Sequence, residues 1–138
     1  MRLQDRAAIV TGAASGMGRA CAILFAENGA KVLAVDRPGA ELAGTAHAHD
    51  GIRTLATDVA ERGAPDRIVA HAVKELGRLD ILMNNAGVSH RAFVEEMQEE
   101  DWDRVLAVNV RAQFLLCRAA IPHLKASGGG RIINVASV

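Results

Sequence analysis

A glycine-rich segment near the amino terminus, Thr11-Gly12-Ala13-Ala14-Ser15-Gly16-Met17-Gly18, has residue types and a spacing that suit phosphate binding. It lies between an apolar run that predicts a strand and a segment of helical period. Backbone N–H groups and the positive end of a helix dipole hold a pyrophosphate there if no Cβ blocks its approach. The spacing is G-x-x-x-G-x-G rather than the G-x-G-x-x-G of the general dinucleotide-binding fold, and a plain turn with positive φ would also use glycine. The position between strand and helix favours phosphate binding.

Asp36 ends the second apolar run, where a carboxylate can accept hydrogen bonds from the two hydroxyls of an adenosine ribose. Because a carboxylate there repels a 2′-phosphate, it favours NAD over NADP. Two alternatives stay open. Asp36 would also be explained as a solvated aspartate at a strand end, and the neighbouring Arg37 has the charge to bind a 2′-phosphate.

Further polar and small residues follow later apolar runs, and one asparagine lies in a segment of helical period. These segments are Asp58-Val59, Asn84-Asn85-Ala86-Gly87, Val108-Asn109-Val110, and Ser137 after Ile133-Asn134-Val135-Ala136. Taken singly, each polar residue has a structural explanation: Asp58 as a helix N-cap, Asn109 as a solvent-facing residue and Ser137 as a loop hydroxyl. Taken together, most of them lie at the carboxyl ends of predicted strands, where an open α/β sheet binds its ligand.

Five short apolar runs alternate with segments of helical period, a pattern typical of a doubly wound parallel sheet. Strands are expected at 7–11, 31–36, 52–57, 79–84 and 131–136, each apolar enough to be buried on both faces. Helices are expected at 16–28 and 65–76, more weakly at 38–49, and as one or two helices from 97 to about 125, which Pro122 would kink or end. The predicted fold class is α/β, Rossmann-like, in one domain over 1–138.

The composition gives no sign of a charged partner, because 16 acidic residues balance 16 basic ones in a chain of 138. This balance argues against a nucleic-acid or membrane-surface protein. The charged residues 1–6 do not suit a secretory signal, and no later apolar run is expected to span a bilayer, so the cytoplasm is the predicted location. Neither the cysteines nor the histidines have the spacing of metal ligands, so no metal site is expected: Cys21, Cys117, His47, His49, His71, His90 and His123.

Together, these segments resemble the amino-terminal part of the classical short-chain dehydrogenase/reductase family, in the family's order and over the whole chain. The resemblance implies a strand order of 3-2-1-4-5 and an NAD cofactor, with NADP less favoured. It implies these cofactor-binding residues: Gly12, Ser15, Gly16, Met17 and Gly18 around the pyrophosphate, Asp36 on the adenosine ribose, Asp58 and Val59 beside the adenine, and Asn85, Ala86 and Gly87 as a floor that also braces Thr11. The Asp58 side chain is expected to accept a hydrogen bond from the adenine amino group.

The family's chemistry is hydride transfer between nicotinamide and a secondary alcohol or ketone. The resemblance implies that Ser137 hydrogen-bonds the oxygen of this small-molecule substrate and that Asn109 holds a proton-relay water. The family's proton donor is a tyrosine in a Tyr-x-x-x-Lys motif on the helix after the fifth strand. The sequence ends at Val138 and contains no tyrosine. We therefore expect a fragment of an oxidoreductase that is inactive by itself, or alternatively a non-catalytic NAD-binding module.

Two surfaces are expected to promote association. Family members usually form dimers or tetramers through the long helix before the fifth strand, here at about 105–125, which implies a homo-oligomeric parent. The fifth strand would be an edge in this chain, with Ile132, Ile133 and Val135 exposed and its backbone groups unpaired. We therefore expect the chain to self-associate in solution.

Overall fold

The computed structural model describes residues 1–137, in which five parallel strands form one sheet. The strands are β1 (Ala7–Thr11), β2 (Lys31–Asp36), β3 (Ile52–Ala56), β4 (Ile81–Asn84) and β5 (Arg131–Asn134). Their order is β3-β2-β1-β4-β5, which confirms the predicted doubly wound topology. Because the chain moves from β1 to β3 in one direction and returns to place β4 on the other side of β1, the sheet has a switch point between β1 and β4. A ligand crevice is expected there, beyond the carboxyl ends of the strands.

The connecting helices in the described residues are α1 (Gly16–Glu27), α2 (Ala43–Ala46), α3 (Ala64–Leu76), α4 (Glu99–Leu106) and α5 (Ala112–Ala126), with a 3₁₀ turn at Val94–Glu96. Helix α3 has Pro65 in its first turn and stops at Gly77, whose φ is 83°. Helix α2 corrects the prediction of a helix over 38–49, because Gly39 has a φ of 86° and turns the chain before the helix begins. The Thr45 hydroxyl ties this short helix to the Ala13 carbonyl oxygen at 2.8 Å.

Alternate side chains of the central strands face two separate apolar layers, as the period of a strand requires. Ile9 and Leu33 face the layer formed by α3 and α5, in which Leu116 is fully buried. Val10 and Val32 face the opposite layer, which is formed with α1. Burial of the central strands on both faces fixes their register, so the strand ends that carry the polar residues are held in place.

The two outer strands correct the expectation that every strand is buried on both faces. Arg53 and Thr54 of β3 are exposed, and every residue of β5 is exposed, with Ile132 at 37% and Ile133 at 40%. The reason is that β3 and β5 are the edge strands of the sheet. Among residues 1–137, no further strand lies beside either of them. Val135 is half-buried against the α1 layer, contrary to the expectation that it is exposed. Strands β3, β4 and β5 are shorter than predicted by one or two residues.

A π-helical turn, Ala107–Arg111, joins α4 to α5, so residues 99–126 form one continuous rod. Of the two effects predicted for Pro122, a kink or an end of the helix, the second is wrong, because α5 continues to Ala126. The rod also has the length and composition of a membrane span, which corrects the expectation that no such run exists. However, side chains recur along it at four-residue spacing in the apolar layer beside the sheet: Val108, Ala112, Leu116, Ala120 and Leu124. This burial is typical of a crossover helix packed on a sheet.

Candidate cofactor and active site

The glycine loop connects β1 to α1 and turns through two left-handed residues, Gly12 with a φ of 64° and Gly16 with a φ of 54°. Helix α1 begins at Gly16, and Ser15 is its N-cap without a side-chain capping bond. The N–H groups of the first turn, from Gly16 to Gly18, have no acceptor within the helix. They therefore form a group of donors at the positive end of the helix dipole.

The three glycines of the loop meet different surroundings. A Cβ on Gly18 would overlap the Gly12 carbonyl oxygen and Asn85 Nδ2, and a Cβ on Gly12 would lie 2.9 Å from Asn85 Nδ2. A Cβ on Gly16 would meet nothing within 4 Å. The loop is thus packed on its inner side and open on its outer side. An open cradle of backbone N–H groups fits a dinucleotide pyrophosphate, which needs close backbone approach on that outer side.

The Asp36 carboxylate lies beside this loop at the end of β2. Its Oδ2 accepts the Ala14 N–H at 2.9 Å and its Oδ1 accepts the Arg37 N–H at 2.8 Å. Since a carboxylate accepts about four hydrogen bonds, both oxygens still have capacity for ribose hydroxyls. The carboxylate is therefore held in a fixed position at the rim of the crevice.

Thr11 and Asn85 tie the glycine loop to the end of β4. The buried Thr11 Oγ1 accepts the N–H groups of Asn85 and Ala86, each at 3.0 Å. Asn85 Nδ2 donates to the carbonyl oxygens of Thr11 at 3.0 Å and Gly12 at 3.3 Å. These bonds join the two strands across the switch point and give the crevice a rigid floor.

A cavity of about 330 Å³ opens between the glycine loop and the ends of β2 and β3. Its lining comprises Gly12, Ser15, Asp36, Arg37, Thr57, Asp58, Val59, Asn85, Ala86, Gly87, Val88, Arg104 and Val108. Asp58 Oδ1 accepts the Ala60 N–H at 2.9 Å, and Asp58 Oδ2 forms an ion pair with Arg104 Nη2 at 2.9 Å. Because α3 begins at Ala64, Asp58 is not its N-cap.

The Asp58 carboxyl is ionised over the whole neutral range. Burial acts to raise its pKa, but the hydrogen bonds from Ala60 and Arg104 outweigh burial, together with the positive charges of Arg104 and Arg37. The pKa of Asp58 therefore lies below the ordinary value for aspartate. This cavity thus presents a carboxylate acceptor rather than a carboxylic acid donor.

A second cavity of about 560 Å³ continues the crevice on the other side of the switch point. It is lined by Met17, Asn85, Ala86, Gly87, Val88, Ser89, Asn109, Gln113, Val135, Ala136 and Ser137. Asn109 Oδ1 accepts the Val88 N–H at 2.9 Å, and Asn109 Nδ2 donates to the Val88 carbonyl oxygen at 2.8 Å. These two bonds argue against a solvent-facing Asn109 and fasten the segment after β4 to the π-helical turn. Ser137 is exposed on the wall that follows β5.

The two cavities share the segment from Asn85 to Val88 and form one crevice along the carboxyl ends of the strands. They bring together all but two of the predicted site residues. Gly18 is buried beneath the loop, and Gly16 lies at the exposed start of α1. The contacts of these residues with a cofactor and a substrate, including the relay water at Asn109, stay predictions.

On the rod over residues 99–126, three lining residues were missed in the sequence: Arg104, Val108 and Gln113. Thr57, Val88 and Ser89 were missed beside the strand ends. Arg104 and Val108 lie four residues apart, as do Asn109 and Gln113, so each pair shares a side of the rod. That spacing was a usable signal once Asn109 had been identified. The sequence could not show which side of the rod faces the crevice, since this depends on the π-helical turn.

A comparison with protein families agrees with this geometry. A family model described as short chain dehydrogenase matches residues 6–138. The chain belongs to the short-chain dehydrogenase family. The crevice therefore lies at the carboxyl ends of the strands of a short-chain dehydrogenase sheet.

Individual relatives of this short-chain dehydrogenase chain support the assignment. It is 43% identical to the D-threitol dehydrogenase of Mycolicibacterium smegmatis, over 99% of this chain and 54% of that protein. It is 40% identical to the 2-(R)-hydroxypropyl-CoM dehydrogenase of Xanthobacter autotrophicus, over 97% of this chain and 57% of that protein. The crystal structure of the 3-ketoacyl-(acyl-carrier-protein) reductase from Brucella melitensis complexed with NADH superposes with a TM-score of 0.91 at 40% identity, covering 98% of this chain and 58% of that one. The chain thus spans a little over half the length of these relatives.

Proposed function

We propose that this chain forms the NAD-binding part of an oxidoreductase that interconverts a secondary alcohol and a ketone by hydride transfer. The observation that carries the proposal is the glycine cradle with the Asp36 carboxylate fixed beside it. The names of the relatives, dehydrogenases and a reductase complexed with NADH, support the reaction class. The small-molecule substrate is therefore an alcohol or ketone.

NAD rather than NADP is the proposed cofactor because the Asp36 carboxylate would repel a 2′-phosphate. In this proposal the first turn of α1 holds the pyrophosphate and Asp36 accepts from the adenosine ribose. Asp58 and Val59 flank the adenine, with Asn85, Ala86 and Gly87 beneath the cofactor. Arg37 lines the same cavity and is the residue that would favour NADP if its charge dominated.

Bound NAD would supply the hydride acceptor, so the protein has to orient the substrate and move a proton. We propose that the Ser137 hydroxyl donates a hydrogen bond to the substrate oxygen in the second cavity. Asn109 would hold a relay water while its side chain keeps Val88 in place. The sequence contains no tyrosine to serve as the proton donor, so we propose that this chain by itself does not turn over.

The experiment compares this chain with a version continued through a helix that carries Tyr-x-x-x-Lys and the remaining strands of a relative. NADH absorbance is followed on a panel of secondary alcohols, with NAD and NADP as cofactors. We expect turnover in the continued version and a rate about 10²- to 10⁴-fold lower in this chain, the usual cost of losing a general acid. Asp36→Ala should weaken NAD binding about tenfold or more, since hydrogen bonds to a charged group contribute about 1.5–3 kcal/mol. Ser137→Ala should lower turnover without changing NAD affinity.

Three outcomes of that experiment count against parts of the proposal. Equal rates for both versions would mean that another group in this chain supplies the proton. A wild-type preference for NADP would mean that Arg37 decides the cofactor. NAD binding without turnover in the continued version would favour a non-catalytic NAD-binding module.

We also propose that the protein is a homo-oligomer that pairs through the outer face of the α4–α5 rod. Leu106, Val110 and Phe114 recur there at four-residue spacing and are 42%, 59% and 61% exposed. An apolar stripe of this kind on a helix marks a surface that another copy can cover. Light scattering of wild type and Val110→Glu/Phe114→Glu tests it: a dimer or tetramer that dissociates on substitution supports the pairing. A wild-type monomer overturns the proposed pairing. An oligomer that the substitutions leave intact also overturns it and points to the exposed β5 edge instead.

The proposed location of such a protein is the cytoplasm. One side of the rod over residues 99–126 is buried against the sheet, and this supports a role in the fold rather than as a membrane anchor. Fractionation of cells that express the protein tests the location. Recovery in the membrane fraction after a high-salt wash would contradict it.

A further inference from the structure

An ion pair in the wall of the first cavity joins the segment after β3 to helix α4. Arg104 Nη2 lies 2.9 Å from Asp58 Oδ2, while Asp58 Oδ1 accepts the Ala60 N–H at 2.9 Å. The Asp58 side chain is 22% exposed and the Arg104 side chain 43% exposed. The carboxylate is thus held at both oxygens, so the orientation of its plane is fixed.

Arg104 and Asp58 line the same cavity, and so does Val108, which lies one helical turn after Arg104. Val108 follows Arg104 by four residues, is 4% exposed and lines the cavity too. Residues four apart share a helix face, so the buried Val108 keeps the face that carries Arg104 turned towards the cavity. Arg104 is therefore part of the cavity wall, whereas a freely solvated arginine would have no such constraint.

We propose that Arg104 is a positioning residue of this cavity, which holds the Asp58 carboxylate so that its remaining acceptor capacity faces a purine with an exocyclic amino group. A carboxylate accepts about four hydrogen bonds; the Ala60 N–H supplies one at Oδ1, and the ion pair with Arg104 engages Oδ2. A purine with a carbonyl oxygen in place of the amino group would bring two acceptors together. Without Arg104, the carboxylate would be held by one N–H group and could rotate away from the purine.

This inference rests on the proposed NAD binding and concerns a selectivity that NAD binding alone does not require. If Arg104 only tied α4 to the segment after β3, its removal would change the shape of the cavity for every dinucleotide. Adenine and hypoxanthine have nearly the same shape and differ at the exocyclic group. A positioning role therefore changes the ratio of two affinities, whereas a merely structural role changes both affinities by the same factor.

The test is calorimetric titration of the full chain with NAD and with nicotinamide hypoxanthine dinucleotide. The variants are Arg104→Gln, Arg104→Lys and, as a matched control, Arg118→Gln. Arg118 lies on the same rod over the Phe114 ring, 5.7 Å from its centroid, and does not line the first cavity. Wild type should prefer NAD on the order of tenfold, the effect of one hydrogen bond to a charged group.

Arg104→Gln should reduce that preference at least threefold, Arg104→Lys should restore part of it, and Arg118→Gln should leave it unchanged. Equal losses for both dinucleotides in Arg104→Gln would overturn the positioning role while NAD binding stands. An unchanged preference in Arg104→Gln would overturn it as well. Wild type that binds neither dinucleotide would instead show that the proposed function fails, and the inference would fail with it.

Discussion

The two ends of the sheet hold carboxylates in different ways. At the amino end, before β4, the Asp80 side chain is 3% exposed and accepts four hydrogen bonds. Arg78 supplies two of these bonds, at 2.7 and 2.8 Å, Arg6 supplies one at 3.0 Å, and the Ala7 N–H supplies one at 2.9 Å. At the carboxyl end, Asp36 and Asp58 are half-buried. Asp36 accepts two backbone N–H groups, whereas Asp58 accepts one and forms an ion pair with Arg104.

The difference shows that one carboxylate of this fold serves stability, while two others remain available to a ligand. Asp80 uses the whole capacity of a carboxylate on its own chain, so it can only stabilise the structure. Asp36 and Asp58 are oriented by their own chain but keep capacity for further donors. Substitutions at the amino end should therefore change stability alone, and substitutions at the carboxyl end should change dinucleotide binding as well.

Asp80→Asn should have the largest effect on stability, a loss of about 2–3 kcal/mol, because it leaves two arginines and a backbone N–H without their charged acceptor. NAD affinity should be unchanged in the folded protein. Urea unfolding and NAD titration measure the two quantities, with Asp36→Asn as the control at the other end. If Asp80→Asn weakened NAD binding while stability held, the division between the two ends would be wrong.

The loss in Asp80→Asn should also depend on pH. Burial acts to raise the pKa of Asp80, but hydrogen bonds from Arg78, Ala7 and Arg6 outweigh it and hold the pKa below the ordinary value for aspartate. A lowered pKa in the folded state contributes stability above the pKa of the unfolded chain, about 3.9, and this contribution is lost as pH falls through the folded value. Unfolding curves of wild type and variant should therefore differ at pH 7 and converge in strong acid. A constant difference down to pH 2 would contradict this account.

Gly18→Ala should have an intermediate effect on stability and should also weaken NAD binding. The added methyl group would overlap the Gly12 carbonyl oxygen and Asn85 Nδ2, which belong to the floor of the crevice. Overpacking of this kind costs about 1–3 kcal/mol, and we expect about 2 kcal/mol here. Thermal unfolding and NAD titration provide the two measurements. Normal NAD affinity in the variant would mean that the inner packing of the loop does not control the cradle.

Gly77→Ala should have the smallest effect, on stability only. Gly77 has a φ of 83° at the end of α3, on the amino side of β4, and an added Cβ would meet nothing within 4 Å. The left-handed conformation alone costs a residue with a Cβ about 1–2 kcal/mol. This variant is the counterpart of Gly18→Ala at the opposite end, and a loss of NAD affinity in it would remove the contrast between the two ends.

The topology could be predicted from the sequence because strands buried on both faces leave a strong apolar signal. The runs at Ala7–Thr11 and Lys31–Asp36 were found with their exact bounds. The outer strands were predicted less well, since burial there depends on what lies beside them. The helix predicted over 38–49 is reduced to Ala43–Ala46 because Gly39 turns the chain before it. The π-helical turn at Ala107–Arg111 left no signal in the periodicity.

The candidate site could be predicted where the backbone requires a particular residue, as at Gly12 and Gly18, or where a strand ends on a polar residue, as at Asp36. Contacts between distant segments could not be predicted in this way. The ion pair of Asp58 with Arg104 and the two bonds from Asn109 to Val88 depend on how the rod over residues 99–126 is rotated against the strand ends. That rotation is set by tertiary packing rather than by local sequence.

The most direct test of the contrast between the two ends is an NMR titration of the full chain with NAD, in which every assigned backbone amide reports on its own surroundings. We predict that amide signals of the carboxyl end shift on addition of NAD, namely those of Gly12 to Gly18, Asp36, Asp58 and Asn85 to Gly87. Signals of Ala7, Gly77 and Asp80 at the amino end should stay in place. Shifts confined to the amino end, or no shifts at millimolar NAD, would contradict the assignment of the crevice as a dinucleotide site.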